Sequence, residues 1–354
     1  MSTARPPDLA VLGAGNWGTT LAHLAAKNGC RTLLWTRDPA QANDINERRT
    51  NPRAKLEDLV IAPGVRATVD VNEALDGASV VVVAIPSQSF REVCRQASPA
   101  LRPDHLLVHV TKGLELGTHR RMSEIVLEET CVRELGVLAG PNIAAEIAQG
   151  KPAGTVIASH YPRVIDVGRF ALGSPQLMTF SGTDILGIEI CGALKNVVAI
   201  AAGIAHEMSV GENAKAFLVT RGMAEMMRLA AAMGAEPATF MGLAGIGDLM
   251  VTCNSPRSRN HRVGVALARG VTLKEAVESL GMVAEGIDAS RAARELASAH
   301  GIEMPVFERV HRVLYDGMSP KAALDDLMRM PAGRDVGRFV GDADRRQSTR
   351  HMSQ

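Results

Sequence analysis

Near the start of the chain, Gly13-Ala14-Gly15-Asn16-Trp17-Gly18 spaces three glycines as a phosphate-binding turn requires. Gly13 permits a tight turn, Gly15 lets backbone approach a pyrophosphate, and Gly18 allows a helix to pack closely. That helix would meet the anion with free N–H groups and a favourable dipole. The arrangement points to dinucleotide binding, although a ligand-free glycine turn or a methyltransferase loop for another nucleotide has the same spacing. The run Trp35-Thr36-Arg37-Asp38 bears on which dinucleotide. NAD-binding folds usually offer an acid at this point to the ribose 2′-hydroxyl, whereas Arg37 can pair with a 2′-phosphate and Asp38 follows one residue later. NAD or NADP is expected, with NADP at least accepted; the alternative for Arg37 is a solvated loop position.

A second group of reactive residues lies beyond residue 184. Lys195 sits in an apolar stretch, where an ammonium is costly to bury without a partner or loss of its proton. Its neighbours at helical spacing, Cys191, Gly192, Val198 and Ala199, are mostly small and leave room for a ligand. A lysine so placed could act as an acid–base group, or it could be structural and snorkel to solvent. Because those neighbours are apolar, methionine in its place should spare packing and thermal stability. The segment 242–248 is glycine-rich, lets backbone pass close to a ligand, and ends in Asp248. Asp248 could hold or orient Lys195, or simply cap the next helix. In Arg257-Ser258-Arg259-Asn260-His261-Arg262, Ser258 can cap a helix and Arg259 can meet an anion at its start. A substrate phosphate or a solvated charged face would each explain this cluster. Nucleic acid would not, since aromatic residues make up 3% of the chain and none interleave here.

Strands and helices must carry these residues. Apolar runs at 9–12, 32–35, 80–85, 106–110 and 135–139, and a weaker one at 67–71, are unalternated and separated by helical stretches such as 17–28. That pattern predicts strands buried on both faces of a parallel sheet. After about residue 184 the patterns at 185–205, 214–233, 262–268, 273–279, 289–299 and 306–314 are helical. The chain therefore reads as an α/β, Rossmann-like, doubly wound parallel sheet over 1–188, an all-α substrate domain over 189–340 and a polar tail over 341–354. This layout places the expected active site in the cleft between the domains.

Composition sets the outer limits. At 354 residues the chain exceeds one compact core, and 46% hydrophobic with 22% charged residues is the balance of a globular protein. A formal net charge of +1 offers no general attraction to nucleic acid or acidic membranes. Cys30, Cys94, Cys131, Cys191 and Cys253 lack paired spacing and are expected as free thiols in a reducing cytoplasm, with no metal site. The apolar stretch 185–205 carries Glu189, Lys195 and Asn196, which argues against a membrane span. A homodimer is the expectation from the prevalence of symmetric pairs.

Together these segments, over roughly residues 8–330, resemble the NAD(P)-dependent glycerol-3-phosphate dehydrogenase family of bacterial type. The matching motifs are Gly13 to Gly18, Thr111-Lys112-Gly113-Leu114, Gly140-Pro141-Asn142 through Glu146, Glu189 through Val198, Gly245 through Leu249 with Thr252-Cys253, Ser258-Arg259-Asn260, and Glu285-Gly286. The resemblance implies interconversion of sn-glycerol 3-phosphate and dihydroxyacetone phosphate by hydride transfer at C2, supplying glycerophospholipid synthesis. It implies that Lys195 is the acid–base group at the C2 oxygen and that Asp248 is a second catalytic residue. Lys112, Gly140, Asn142, Asp248, Ser258, Arg259 and Asn260 would contact substrate. Asn16, Trp17, Arg37, Lys112, Ala144, Arg259, Val283 and Glu285 would join Gly13, Gly15 and Gly18 around the cofactor. Asn142 departs from the bacterial pattern, which commonly has a small hydroxyl residue there, and matches the eukaryotic cytosolic form; Thr36-Arg37 follows the bacterial one. A 3-hydroxyacid or ketopantoate reductase and a non-enzymatic nucleotide sensor are the rivals. The Ser258-Arg259-Asn260 cluster speaks against the first, and the Lys195 and Asp248 pair against the second.

Overall fold

The computed structural model describes residues 6–56, 59–256, 258–280 and 284–330. Val283, Arg257 and the predicted tail at 341–354 lie outside the described residues. The chain divides into two compact units, Met1–Ile185 and Leu186–Gln354.

The first unit is built on eight strands: β1 (Leu9–Leu12), β2 (Thr32–Trp35), β3 (Val65–Thr68), β4 (Val80–Val83), β5 (Leu106–His109), β6 (Leu135–Ala139), β7 (Ala153–Ser159) and β8 (Leu177–Gly182). They lie in the order β3-β2-β1-β4-β5-β6-β7-β8. The first six are parallel and take the order of a doubly wound dinucleotide fold. All four residues of β1 and of β4 are buried, because helices cover both faces of these central strands; hence their unalternated apolar sequence. The strand order reverses between β1 and β4, and the glycine turn leaves β1 at that point.

Two expectations need correction. The sheet is not parallel throughout, because β6 and β7 pair antiparallel, and neither β7 nor β8 stood out as an apolar run. In β8 the side chains of Met178 and Phe180 are exposed while Leu177 and Thr179 are buried, so only one face is covered and the apolar pattern is broken. β3 ends at Thr68 and does not reach residue 71, because the Asp70 side chain accepts a hydrogen bond from Asn72 N (2.9 Å) and starts a helical turn.

The second unit is helical. Its central helix, Ile185–Glu207, is long and apolar enough by composition to cross a membrane, but 94% of its 18-residue apolar stretch is buried inside the protein. Glu212–Ala232, Asp248–Asn254, Arg259–Ala268, Leu273–Leu280, Glu285–His300, Pro305–Tyr315 and Pro320–Met328 follow. Arg259–Ala268 meets the central helix backbone to backbone. A Cβ built on Gly203 would lie 2.1 Å from His261 O, and one on Gly264 would lie 2.1 Å from Ile200 O, so neither position admits a side chain. This contact brings the start of the 259–268 helix to the helix that carries Lys195. That helix begins three residues earlier than its apolar pattern suggested, because Ser258 caps it.

Candidate active site

In the first unit the glycine turn has the sterics its spacing implied. Gly13 adopts φ +114°, and a Cβ there would stand 2.4 Å from Ala84 O at the end of β4. A Cβ on Gly18 would sit 1.9 Å from Gly13 O, so the Asn16–Lys27 helix packs on the turn at a distance only glycine allows. Gly15 is different: nothing lies within 4 Å of a Cβ built on it, and its surface is open. The helix start has no side-chain cap and no acidic residue in its first turn. Open backbone, an uncapped helix end and an absence of negative charge together fit a pyrophosphate.

Around this turn stand other predicted residues. Thr20 Oγ1 donates to Asn16 O (2.9 Å) and reaches Ala144 O (3.5 Å), which places Ala144 against the first turn of the helix. The Asn16 side chain accepts from Lys55 N (3.2 Å), and Trp17 is partly buried. Lys112 Nζ lies 3.5 Å from Gly140 O. Asn142 Nδ2 donates to Thr155 Oγ1 (2.9 Å), while Asn142 Oδ1 is buried with no hydrogen-bond partner. Arg37 is 52% exposed, and its ion-pair contact with the still more exposed Glu92 is long, at 3.8 Å. Asp38 is committed elsewhere: it caps Ala40 N (3.0 Å) and pairs with Arg53.

The second unit gathers charged side chains. Lys195 and Asp248 are 3% and 2% exposed, and Lys195 Nζ lies 2.5 Å from Asp248 Oδ1. Lys195 Nζ also donates to Thr252 Oγ1 (2.9 Å), whose own proton goes back to Asp248 O (2.6 Å). Lysine is thus neither snorkelling nor unpartnered. Asp248 makes no cap: Gly247 occupies that position and the aspartate sits in the first turn of Asp248–Asn254. Of the glycines before it, Gly245 serves packing, since a Cβ there would lie 2.1 Å from Phe240 O. Cys253, next in sequence to Thr252, is buried, and burial pushes its thiol up to about 12, so it stays protonated and inert.

A few residues away, Ser258 Oγ accepts from His261 N (3.3 Å) and caps the helix. Asn260 is buried, and its Oδ1 accepts from Gly286 N (2.9 Å). Asn196 Nδ2 donates to Glu285 Oε2 (3.2 Å), and Arg259 Nη2 lies 3.9 Å from Glu285 Oε1, with the arginine side chain 39% exposed. The structure therefore joins Lys195–Asp248–Thr252 and Asn196–Glu285–Arg259–Asn260 on neighbouring parts of one helix and its partners. Thr252, noted only as part of a motif, emerges as a direct ligand of the lysine. Gln41 and Asn51, which clasp the glycine turn, carry no motif of their own and were not anticipated.

A doubly wound sheet with a glycine turn at its switch point, joined to a helical unit that buries a lysine–aspartate pair, marks a nicotinamide-dependent oxidoreductase. Comparison with known sequences narrows the class. Residues 8–164 match the family model described as NAD-dependent glycerol-3-phosphate dehydrogenase N-terminus and residues 184–325 match its C-terminus, so the chain belongs to that family. It is 43% identical over 328 residues to a protein of Geobacillus thermodenitrificans named glycerol-3-phosphate dehydrogenase (NAD(P)+), covering 91% of this chain and 94% of the relative. An Acinetobacter baylyi protein of the same name is 44% identical over 326 residues, covering 92% and 91%. The crystal structure of glycerol-3-phosphate dehydrogenase from Coxiella burnetii superposes with a TM-score of 0.85 at 34% identity, covering 92% of this chain and 99% of that one.

Proposed function

We propose that the protein is a glycerol-3-phosphate dehydrogenase using NAD or NADP, which interconverts sn-glycerol 3-phosphate and dihydroxyacetone phosphate and supplies glycerophospholipid synthesis. The observation that carries this reading is the buried contact of Lys195 with Asp248 at 2.5 Å, within a chain whose two halves match the family. In this reading the first unit is the dinucleotide domain and the second the substrate domain.

The bound nicotinamide would supply or accept hydride at C2. Lys195 donates a proton to the C2 oxygen during reduction and takes it back during oxidation, neutralising charge as it develops. Asp248 stabilises the ammonium and, with Thr252, sets its direction. Arg259 grips the phosphate, as Ser258 and Asn260 assist; the Ser258 hydroxyl accepts from His261 N and still has its own proton to give. Lys112, Gly140 and Asn142 complete the substrate contacts. The unpaired Asn142 Oδ1 supports a side-chain role, since it can accept from a substrate hydroxyl. Gly13, Gly15, Asn16, Trp17, Gly18, Arg37, Lys112, Ala144, Arg259 and Glu285 hold the cofactor; Val283, also assigned to it, lies outside the described residues. Exposed Arg37 and committed Asp38 favour acceptance of the 2′-phosphate of NADP. We further place the enzyme in the cytoplasm as a homodimer; five free cysteines accord with a reducing compartment.

The test follows oxidation of NADPH with dihydroxyacetone phosphate, with unphosphorylated dihydroxyacetone and with no substrate. Rapid oxidation only with the phosphorylated ketone is expected. Absence of any dihydroxyacetone phosphate-dependent turnover with either NADPH or NADH would overturn the reading.

A further inference from the structure

Glycine turns lack side chains of their own, so something else must choose which way their peptides face. In this protein that choice has a visible agent. The Ala14 carbonyl, inside the turn, accepts from Gln41 Nε2 (2.8 Å) and from Asn51 Nδ2 (3.0 Å). The second Gln41 amide proton goes to Asn51 Oδ1 (2.9 Å) and the second Asn51 proton to Thr19 Oγ1 (2.8 Å). Gln41 Oε1 accepts from Thr36 Oγ1, and Asn51 Oδ1 also accepts from Ala54 N (3.3 Å). Gln41, Asn51, Thr36, Thr19 and Ala14 are all buried. Four amide protons therefore meet four acceptor contacts, and both lone pairs of the Ala14 oxygen are used.

We infer that Gln41 and Asn51 are positioning residues of the dinucleotide site, holding the Ala14–Gly15 peptide so that the Gly15 N–H faces outward. Among the described residues there is no cis peptide, so the Ala14 carbonyl and the Gly15 N–H point in opposite directions across their shared plane. Drawing the oxygen inward onto two amides turns the N–H the opposite way, and Gly15 itself is exposed, with no atom beyond its chain neighbours within 4 Å of a Cβ built on it. Rotating that peptide would break two buried hydrogen bonds at once. The brace thus preorganises an anion-binding turn before ligand arrives, and its benefit is common to NAD and NADP because both carry the pyrophosphate. Thr36, adjacent to Arg37, ties the network to the end of β2.

The inference rests on the dinucleotide-binding reading above, and its test separates the two. Full-length Gln41→Met and Thr19→Val are compared with the parent by calorimetric titration with NADH and with NADPH, by KM for dihydroxyacetone phosphate at saturating NADPH, and by thermal unfolding. Gln41→Met keeps side-chain length but removes the donor; both cofactor Kd values should rise by the same factor, about tenfold, from the value of a buried hydrogen bond. KM for dihydroxyacetone phosphate should stay within about twofold, since no substrate contact has changed. Thr19→Val only frees one end of Asn51 and should weaken both cofactors about two- to threefold; it carries the test if Gln41→Met does not fold. A lowered melting temperature with unchanged Kd values in the folded variants would reduce the network to scaffolding and overturn the inference. Weakening confined to NADPH would overturn it too, by assigning the network to the 2′-phosphate. A parent that binds neither dinucleotide would instead sink the functional reading itself.

Discussion

The two units prepare their candidate sites from different materials. In the first, the surfaces offered to a ligand are backbone: an open Gly15, an uncapped helix start and glycines whose missing side chains make room. In the second they are side chains, with Lys195 and Asp248 almost fully buried against each other and Arg259 at a half-exposed helix start. The materials fail in opposite ways. A backbone site is damaged by adding atoms, whereas a side-chain site is damaged by removing them, and removing one buried charge strands the other.

The sharpest test of this contrast is Lys195→Met. Loss of a positioned acid–base group should lower kcat by about 10²–10⁴-fold. The sequence alone suggested that methionine would leave stability intact. The structure corrects this, because Asp248 would remain buried without its cation, and breaking such a pair costs about 3–5 kcal/mol. Melting temperature should therefore fall along with kcat. Adding Asp248→Asn should restore part of the stability and none of the activity. Turnover within a few-fold of the parent in the single variant would falsify the acid–base role.

Gly18→Ala and Gly15→Ala probe the other material as a pair. At Gly18 the new Cβ would meet Gly13 O at 1.9 Å, so the turn and helix must separate, at a cost of about 1–3 kcal/mol. Melting temperature and affinity for both cofactors should drop together. Gly15→Ala meets nothing within 4 Å, so folding should be spared while both cofactors weaken, roughly tenfold or more if backbone approaches the pyrophosphate there. If Gly15→Ala binds NADH and NADPH as the parent does, the pyrophosphate does not lie on this turn.

Arg259→Ala returns to side chains. Losing a charge-assisted hydrogen bond should raise KM for dihydroxyacetone phosphate by roughly 10- to 150-fold. Activity on dihydroxyacetone should hardly change, and lysine should rescue only part because it lacks the planar fork. Unaltered discrimination for the phosphate in the alanine variant would move the anion site elsewhere, with Lys112 as first candidate. The smallest effect belongs to Arg37→Ala. Its side chain is 52% exposed and screened by salt, so NADPH should weaken by only about tenfold while NADH is unaffected. Equal losses for the two cofactors would remove Arg37 from the 2′-phosphate.

Much of this organisation could be read before folding. The glycines of the turn, the buried strands β1, β2, β4, β5 and β6, and the apolar helix around Lys195 were all legible, because each follows from sterics or burial within a few residues. β7 and β8 were not: one pairs antiparallel and the other shows one face to solvent, so neither has the run of a doubly covered strand. Asp248 was ambiguous for a related reason. An aspartate before a helix can cap it or pair with a lysine, and its neighbours in sequence do not distinguish the two.

By itself the sequence determined where side chains cannot be, as at Gly13 and Gly18, and which stretches must be covered by others. Tertiary structure alone decided the partners. Lys195 and Thr252 are 57 residues apart, Asn196 and Glu285 are 89 apart, and the Ala14 carbonyl finds Gln41 and Asn51 at separations of 27 and 37. A steric exclusion acts at one residue and leaves its mark in that residue's type. A buried hydrogen bond or ion pair is a property of two distant residues, and only the packing that removes water from both makes the pairing necessary.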